Sequence, residues 1–204
     1  DPEAQLRIVH ASPDAPAVDV LADGERLVGA LDYGQATAFA TVDAGTVSVR
    51  VNGRLPAGAT TTVIGPANLD LADDTQYTVL AVGQVGSIEP LVLSQPATMV
   101  PAGSTRLRVV HAAPDAPAVD VYLTAPTADL AASTAVTTLR FKQDLAPTEV
   151  TAGNYRVRVT AAGNRNALVF DSGMLALAPG ANLLIAAIEN TDTGASPIQL
   201  LVHD

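Results

Sequence analysis

The chain has 204 residues, a formal net charge of −10 and no cysteine. That charge excludes nucleic acid and anionic membrane surfaces as partners, since both need a basic patch, and no apolar run approaches the roughly 18 residues of a membrane-spanning helix. Hydrophobic residues make up 48% of the chain but aromatic ones only 3%, so Ala, Val and Leu must fill any core.

The first predicted strand is LRIVHA (6–11), in which Leu6, Ile8 and His10 share one face and Arg7 and Val9 the other. Ser-Pro-Asp-Ala-Pro (12–16) breaks it, because Pro13 and Pro16 lack amide donors and fix φ. Pro followed by Asp suits the two central positions of a turn. AVDVLADG (17–24) is a second strand, with Val18 and Val20 opposite Asp19 and Leu21, and it ends in a turn signal. TVSVRVNG (46–53) places Val47, Val49 and Val51 on one face. LADDTQYTV (71–79) has the Asp-x-x-Tyr spacing of a tyrosine corner, and YTVLAV (77–82) is apolar throughout, as a strand covered on both sides would be. PLVLS (90–94) closes the set.

The chain then begins again. LRIVHASPDAPAVDV (6–20) and LRVVHAAPDAPAVDV (107–121) are identical at 13 of 15 positions. DAGTVSVRV (43–51) matches TAGNYRVRV (151–159), and LDLADDTQYTVLAV (69–82) matches LALAPGANLLIAAI (175–188). The offset grows from 101 to 108, which places seven additional residues of the second copy within 123–136. Leu183 replaces the corner tyrosine Tyr77, while a tyrosine enters at Tyr155. A repeat of this length predicts tandem domains rather than a solenoid. About seven short strands per copy, with no amphipathic helix, predict an all-β chain of two tandem immunoglobulin-like antiparallel β-sandwiches. The boundaries read as 1–94, a linker at 95–105, and 106–204.

The block L-R-[IV]-V-H-A-x-P-D-A-P-A-V-D-V, present in both halves, resembles the start of the bacterial domain of unknown function 4397. That resemblance implies a secreted or cell-surface β-sandwich, often in tandem, and no activity. The chain opens Asp-Pro-Glu without Met, as a mature N-terminus left by signal-peptide removal would.

The candidate binding residues are His10, Asp14 and Asp19 and their counterparts His111, Asp115 and Asp120. A structural role is preferred for all six. Asp14 and Asp115 can accept from amides of their own turn, each His needs a partner at the strand end, and Arg7 can pair with Asp19 and Arg108 with Asp120. Zinc needs three or four close ligands, and each copy offers too few; calcium wants six to eight oxygens, and no D-x-D-x-D-G loop occurs. The chain shows no G-x-S-x-G elbow or phosphate loop and reads as non-enzymatic, without a cofactor.

The expected function is an extracellular structural or adhesive protein, a subunit of a self-assembling surface filament or matrix. Its expected partner is itself. Residues 1–94 carry net −8 and residues 95–204 net −2, which favours head-to-tail contact, through exchange of LRIVHA (6–11) or IQLLVH (198–203). The alternative is an extracellular binding module for a polysaccharide or other ligand, with calcium the one metal to consider. That alternative calls for exposed aromatic rings among Tyr33, Phe39, Tyr122 and Phe141.

Overall fold

The alternating Val-rich segments form strands in a computed structural model of the chain, which describes residues 1–192 and 196–204. Two units divide it, 1–98 and 99–204. In the first, β1 (Glu3–Ala11), β2 (Val18–Ala22), β3 (Glu25–Leu31), β4 (Ala40–Asp43), β5 (Gly45–Arg54), β6 (Thr60–Leu71), β7 (Thr75–Val82) and β8 (Glu89–Pro96) form two sheets, β4-β1-β7-β8 and β3-β2-β5-β6. The second unit repeats the order with β9 (Ser104–His111), β10 (Val119–Thr124), β11 (Thr137–Leu139), β12 (Asp144–Thr151), β13 (Gly153–Ala161), β14 (Asn164–Leu177), β15 (Asn182–Glu189) and β16 (Ile198–His203). Its sheets are β12-β9-β15-β16 and β11-β10-β13-β14. Each unit is an immunoglobulin-like sandwich, and the stretch between the two runs from 97 to 103, shorter than 95–105.

Two features differ from the sequence expectation. Among the described residues, each unit has eight strands rather than about seven; in the first, the four-residue β4 is separated from β5 by Ala44 alone. The chain crosses between sheets there, and Gly45, at φ +132°, adopts a backbone that side-chain-bearing residues rarely reach. One pair in each unit is parallel, not antiparallel. β1 runs alongside β7 from Gln5↔Gln76 to Ala11↔Val82, and β9 alongside β15. A parallel pair needs a long connection, and the strands from β2 to β6 supply it.

Parity positions the core as read. Leu6, Ile8, Val18, Val20, Val47, Val49, Val51, Val79 and Ala81 pack together in the first unit. Leu107, Val109, Val119, Val121, Val157, Val159, Ile185 and Ala187 do so in the second. The near-continuous apolar run of β7 is buried on both faces from Thr78 to Val82, as central strands of a parallel pair are. The seven extra residues fall between β10 and β11, where the first unit has the tight Asp23-Gly24 turn.

Candidate functional site

β1 ends at Ala11, and its last inward-facing residue, His10, is completely buried. The proline-rich turn that follows doubles back over this strand end. There the His10 Nε2–H donates to the carbonyl of Pro16 (2.9 Å), and its Nδ1 accepts from the amide of Ser12 (3.4 Å). His111 repeats the arrangement with Pro117 (3.0 Å) and the amide of Ala113 (3.3 Å). Both ring nitrogens are used, and these partners fix the neutral Nε2–H tautomer. Burial pushes both imidazoles below their ordinary pKa, partly offset by the proline carbonyls. The phrase is therefore a strand end, a turn and a histidine that ties the two together.

The backbone of each His is held from the other side by a segment the sequence reading passed over. His10 donates its amide to the carbonyl of Gln35 and accepts from Gly34; His111 does the same with Gln143 and Lys142. Tyr33 and Phe141 set an edge against the two imidazoles, with ring centres 5.9 and 6.3 Å apart. The signal was present as LDYGQ (31–35) and LRFKQ (139–143), a second pair of aligned segments offset by 108. The two glutamines accept from the amides of Asp32 and Arg140, which closes each turn.

The carboxylates do not join the histidines. Asp14 accepts from the amide of Val85 (2.7 Å), in the β7–β8 connection rather than in its own turn. The Asp115 amide donates to the side chain of Glu189 (2.7 Å). Asp19 accepts from the Ala30 amide and from Arg54 Nε, both at 2.8 Å, and these donors hold its carboxyl below the usual range. Asp120 accepts from the Thr138 hydroxyl and the Gly163 amide. The expected Arg7–Asp19 and Arg108–Asp120 pairs do not form, because each would span β1 and β2, or β9 and β10, which lie in different sheets. Arg7 stacks on Phe39 (4.3 Å) and Arg108 pairs with Asp144 (2.8 Å).

The one Ser-to-Ala difference between the copies that lies beyond the histidine has a structural reason. Buried Ser12 donates to the carbonyl of Gly83 (2.6 Å). In the second unit Ala113 cannot, and the carbonyl at the matching place, Glu189, accepts from Gln199 instead (3.3 Å). The tyrosine corner behaves similarly: Tyr77 accepts from the Ala72 amide (2.9 Å), while Tyr155 donates to the Thr151 carbonyl (2.7 Å).

Among the described residues, no group of three or more His, Cys, Asp or Glu side chains is placed to hold a metal ion. In the Asp70, Asp73 and Asp74 segment, Asp70 accepts from Thr46, and Asp73 accepts from the amides of Glu3 and Asp74. Tyr122 is buried, and Tyr33, Phe39 and Phe141 are partly buried, so the exposed platform that a sugar site calls for is not formed by these four. No helix is long and apolar enough to cross a membrane among the described residues.

Comparison with known proteins gives one family, described as "Domain of unknown function (DUF4397)", which matches residues 4–122. Among solved structures, the chain is similar to one described as that of a "putative adhesin" from Bacteroides ovatus, at 12% identity and a TM-score of 0.27. That alignment covers 100% of this chain and 93% of the other. No curated protein matches.

Proposed function

The chain belongs to the DUF4397 family, and from that premise we propose that it is a non-enzymatic structural and adhesive protein of the cell exterior, secreted or held at the cell surface. Its second unit is a second copy of the same family domain, and copies of the chain associate end to end into a filament or matrix. The observation that carries this reading is the imidazole–carbonyl bond made twice, at 2.9 and 3.0 Å, by a fully buried His in each unit. The histidines best suited to chemistry are spent on holding a turn to a strand end, and the Asp14, Asp19 and Asp120 carboxylates accept from loop amides or neighbouring side chains. A fold that commits these groups internally offers its partners surface and backbone rather than a reactive centre. The difference in charge between the halves, −8 against −2, favours contact between unlike ends, and a repeated contact that does not close gives a fibre.

Negative-stain microscopy of the purified chain tests this. Extended assemblies are expected. Single particles at high concentration, in both high salt and calcium, would remove the assembly and leave a rigid spacer. A stoichiometric bound metal lost on His10→Ala would overturn the structural role itself.

A further inference from the structure

Among the described residues, eight strands of the two units lie at sheet edges, and seven carry a recognised obstacle to pairing with another chain. β4 and β11 have four and three residues. β3 carries Glu25 and Arg26 and a break in register against β2. β6 contains Pro66 and breaks register against β5. β12 contains Pro147 at its bulge, β14 is bulged repeatedly against β13, and β8 carries Pro90 and Pro96. β16, Ile198–His203, has none of these: no proline, no bulge in its six-residue ladder with β15, and no Asp, Glu, Lys or Arg.

The direction of its backbone groups follows from the ladder. The Asn190 amide donates to the Pro197 carbonyl (3.0 Å), so 190 and 197 form a hydrogen-bonded pair. Such pairs alternate with non-bonded ones in an antiparallel ladder. Ile198, Leu200 and Val202 therefore turn their N–H and C=O groups away from β15. The first unit shows what is missing. His10 aligns with Ala81 and Ala81 with Pro90; His111 aligns with Ala187 and Ala187 with Leu200. Leu200 stands where β8 has Pro90, and it restores an outward donor that the proline removes.

We propose that β16 is an interaction edge whose partner is β16 of a second copy of this chain, paired antiparallel about a two-fold axis at Leu200. This rests on the self-association reading and names one of its contacts. The partner is a second copy because, among the described edges of the chain, β16 alone is as open as the strand it must meet. The antiparallel direction follows from charge: a parallel pair would set Asp204 beside its own copy, whereas the antiparallel pair places the two carboxylates at opposite ends. Leu200 then faces Leu200, and Ile198 faces Val202. Main-chain bonds supply the affinity, as in other strand additions. Because Ile198 and Leu200 already pack on the core of their own unit, the joined sheet continues that core across the axis. The contact is isologous and closes on itself, so an extended assembly needs a second contact elsewhere on the chain.

Sedimentation velocity of the full chain and of Leu200→Pro tests the contact. The wild type is expected to form a reversible dimer as concentration rises. L200P is expected to remain monomeric over the same range and to stay folded, since Pro90 occupies the matching position of the first unit, with a lower thermal midpoint from the core packing that Leu200 gives up. Amide exchange at Ile198, Leu200 and Val202 in the wild type should slow with concentration. A wild-type oligomer that survives L200P overturns this contact and leaves self-association standing; a wild type that is monomeric throughout overturns both. If L200P does not fold, exchange at the three amides that is independent of concentration overturns the contact.

Discussion

His10 and His111 each donate from a buried ring to a proline carbonyl of the turn, in a part-buried hydrogen bond, so removing the imidazole removes that tie. His10→Ala is expected to destabilise the first unit by about 0.5–1.5 kcal/mol from the lost hydrogen bond, with a further loss from the cavity. His111→Ala should do the same to the second unit, and thermal or urea unfolding reads both. The same histidines set a pH dependence. Burial holds their folded pKa below the ordinary 6.5, so the unfolded chain binds more protons once the pH falls below that value. Their contribution is complete above about pH 6.5 and is lost as the pH falls through the folded-state pKa. Unfolding midpoints should therefore decline between neutral pH and the carboxylate range, and a double His10→Ala, His111→Ala chain should show a flatter slope there. A slope unchanged in the double variant would contradict the assignment. The sequence made the histidines visible through repetition and parity. It did not reveal their partners, because Pro16 and Pro117 act through backbone oxygen, which no side-chain pattern records.

At the scale of the element, alternation located the strands well, because a half-buried pleat leaves a period of two in the side chains. Sheet membership was less legible. β1 and β2 are adjacent in sequence and lie in different sheets, so the expected Arg7–Asp19 pair failed, and Arg54 on β5 took the place of Arg7. The parallel β1–β7 pairing was hidden for the same reason, since it joins residues 71 apart that carry no complementary code. β4 escaped notice because four residues are too few to display a period. The β5–β6 pairing offers a direct test of local geometry. Gly65 sits at φ +84°, and a Cβ there would lie 2.5 Å from the Val49 carbonyl oxygen and 2.7 Å from the Ala67 nitrogen. Gly24 has nearly the same φ, +86°, with nothing within 4 Å. Gly24→Ala should cost about 1–2 kcal/mol, the strain of a left-handed backbone alone, and Gly65→Ala clearly more. Equal losses in thermal unfolding would mean that the close approach at Gly65 relaxes without cost.

On the scale of the whole molecule, the two units share a plan and differ in charge. Residues 1–98 hold 12 acidic and 4 basic side chains, and residues 99–204 hold 9 and 7. Self-repulsion destabilises a compact state and is screened by salt, so added sodium chloride should raise the unfolding midpoint of the first unit more than that of the second. Calorimetry of the full chain at low and moderate salt reads this, with the His10→Ala variant marking which transition belongs to the first unit. Duplication also supplies the strongest argument about the repeated phrase: both copies keep the histidine and the proline carbonyl it bonds, while the surrounding contacts, Ser12 against Gln199 and Tyr77 against Tyr155, are reassigned. The central claim is that this histidine is a structural tie and not a ligand. Long-range ¹H–¹⁵N NMR of the imidazole rings tests it most directly. Two rings are expected that carry their single proton at Nε2 when neutral, that become charged only at a lower pH than a free imidazole, and that are unmoved by zinc or calcium. Rings that become charged at or above the pH at which a free imidazole does, or that are shifted by stoichiometric metal, would contradict it.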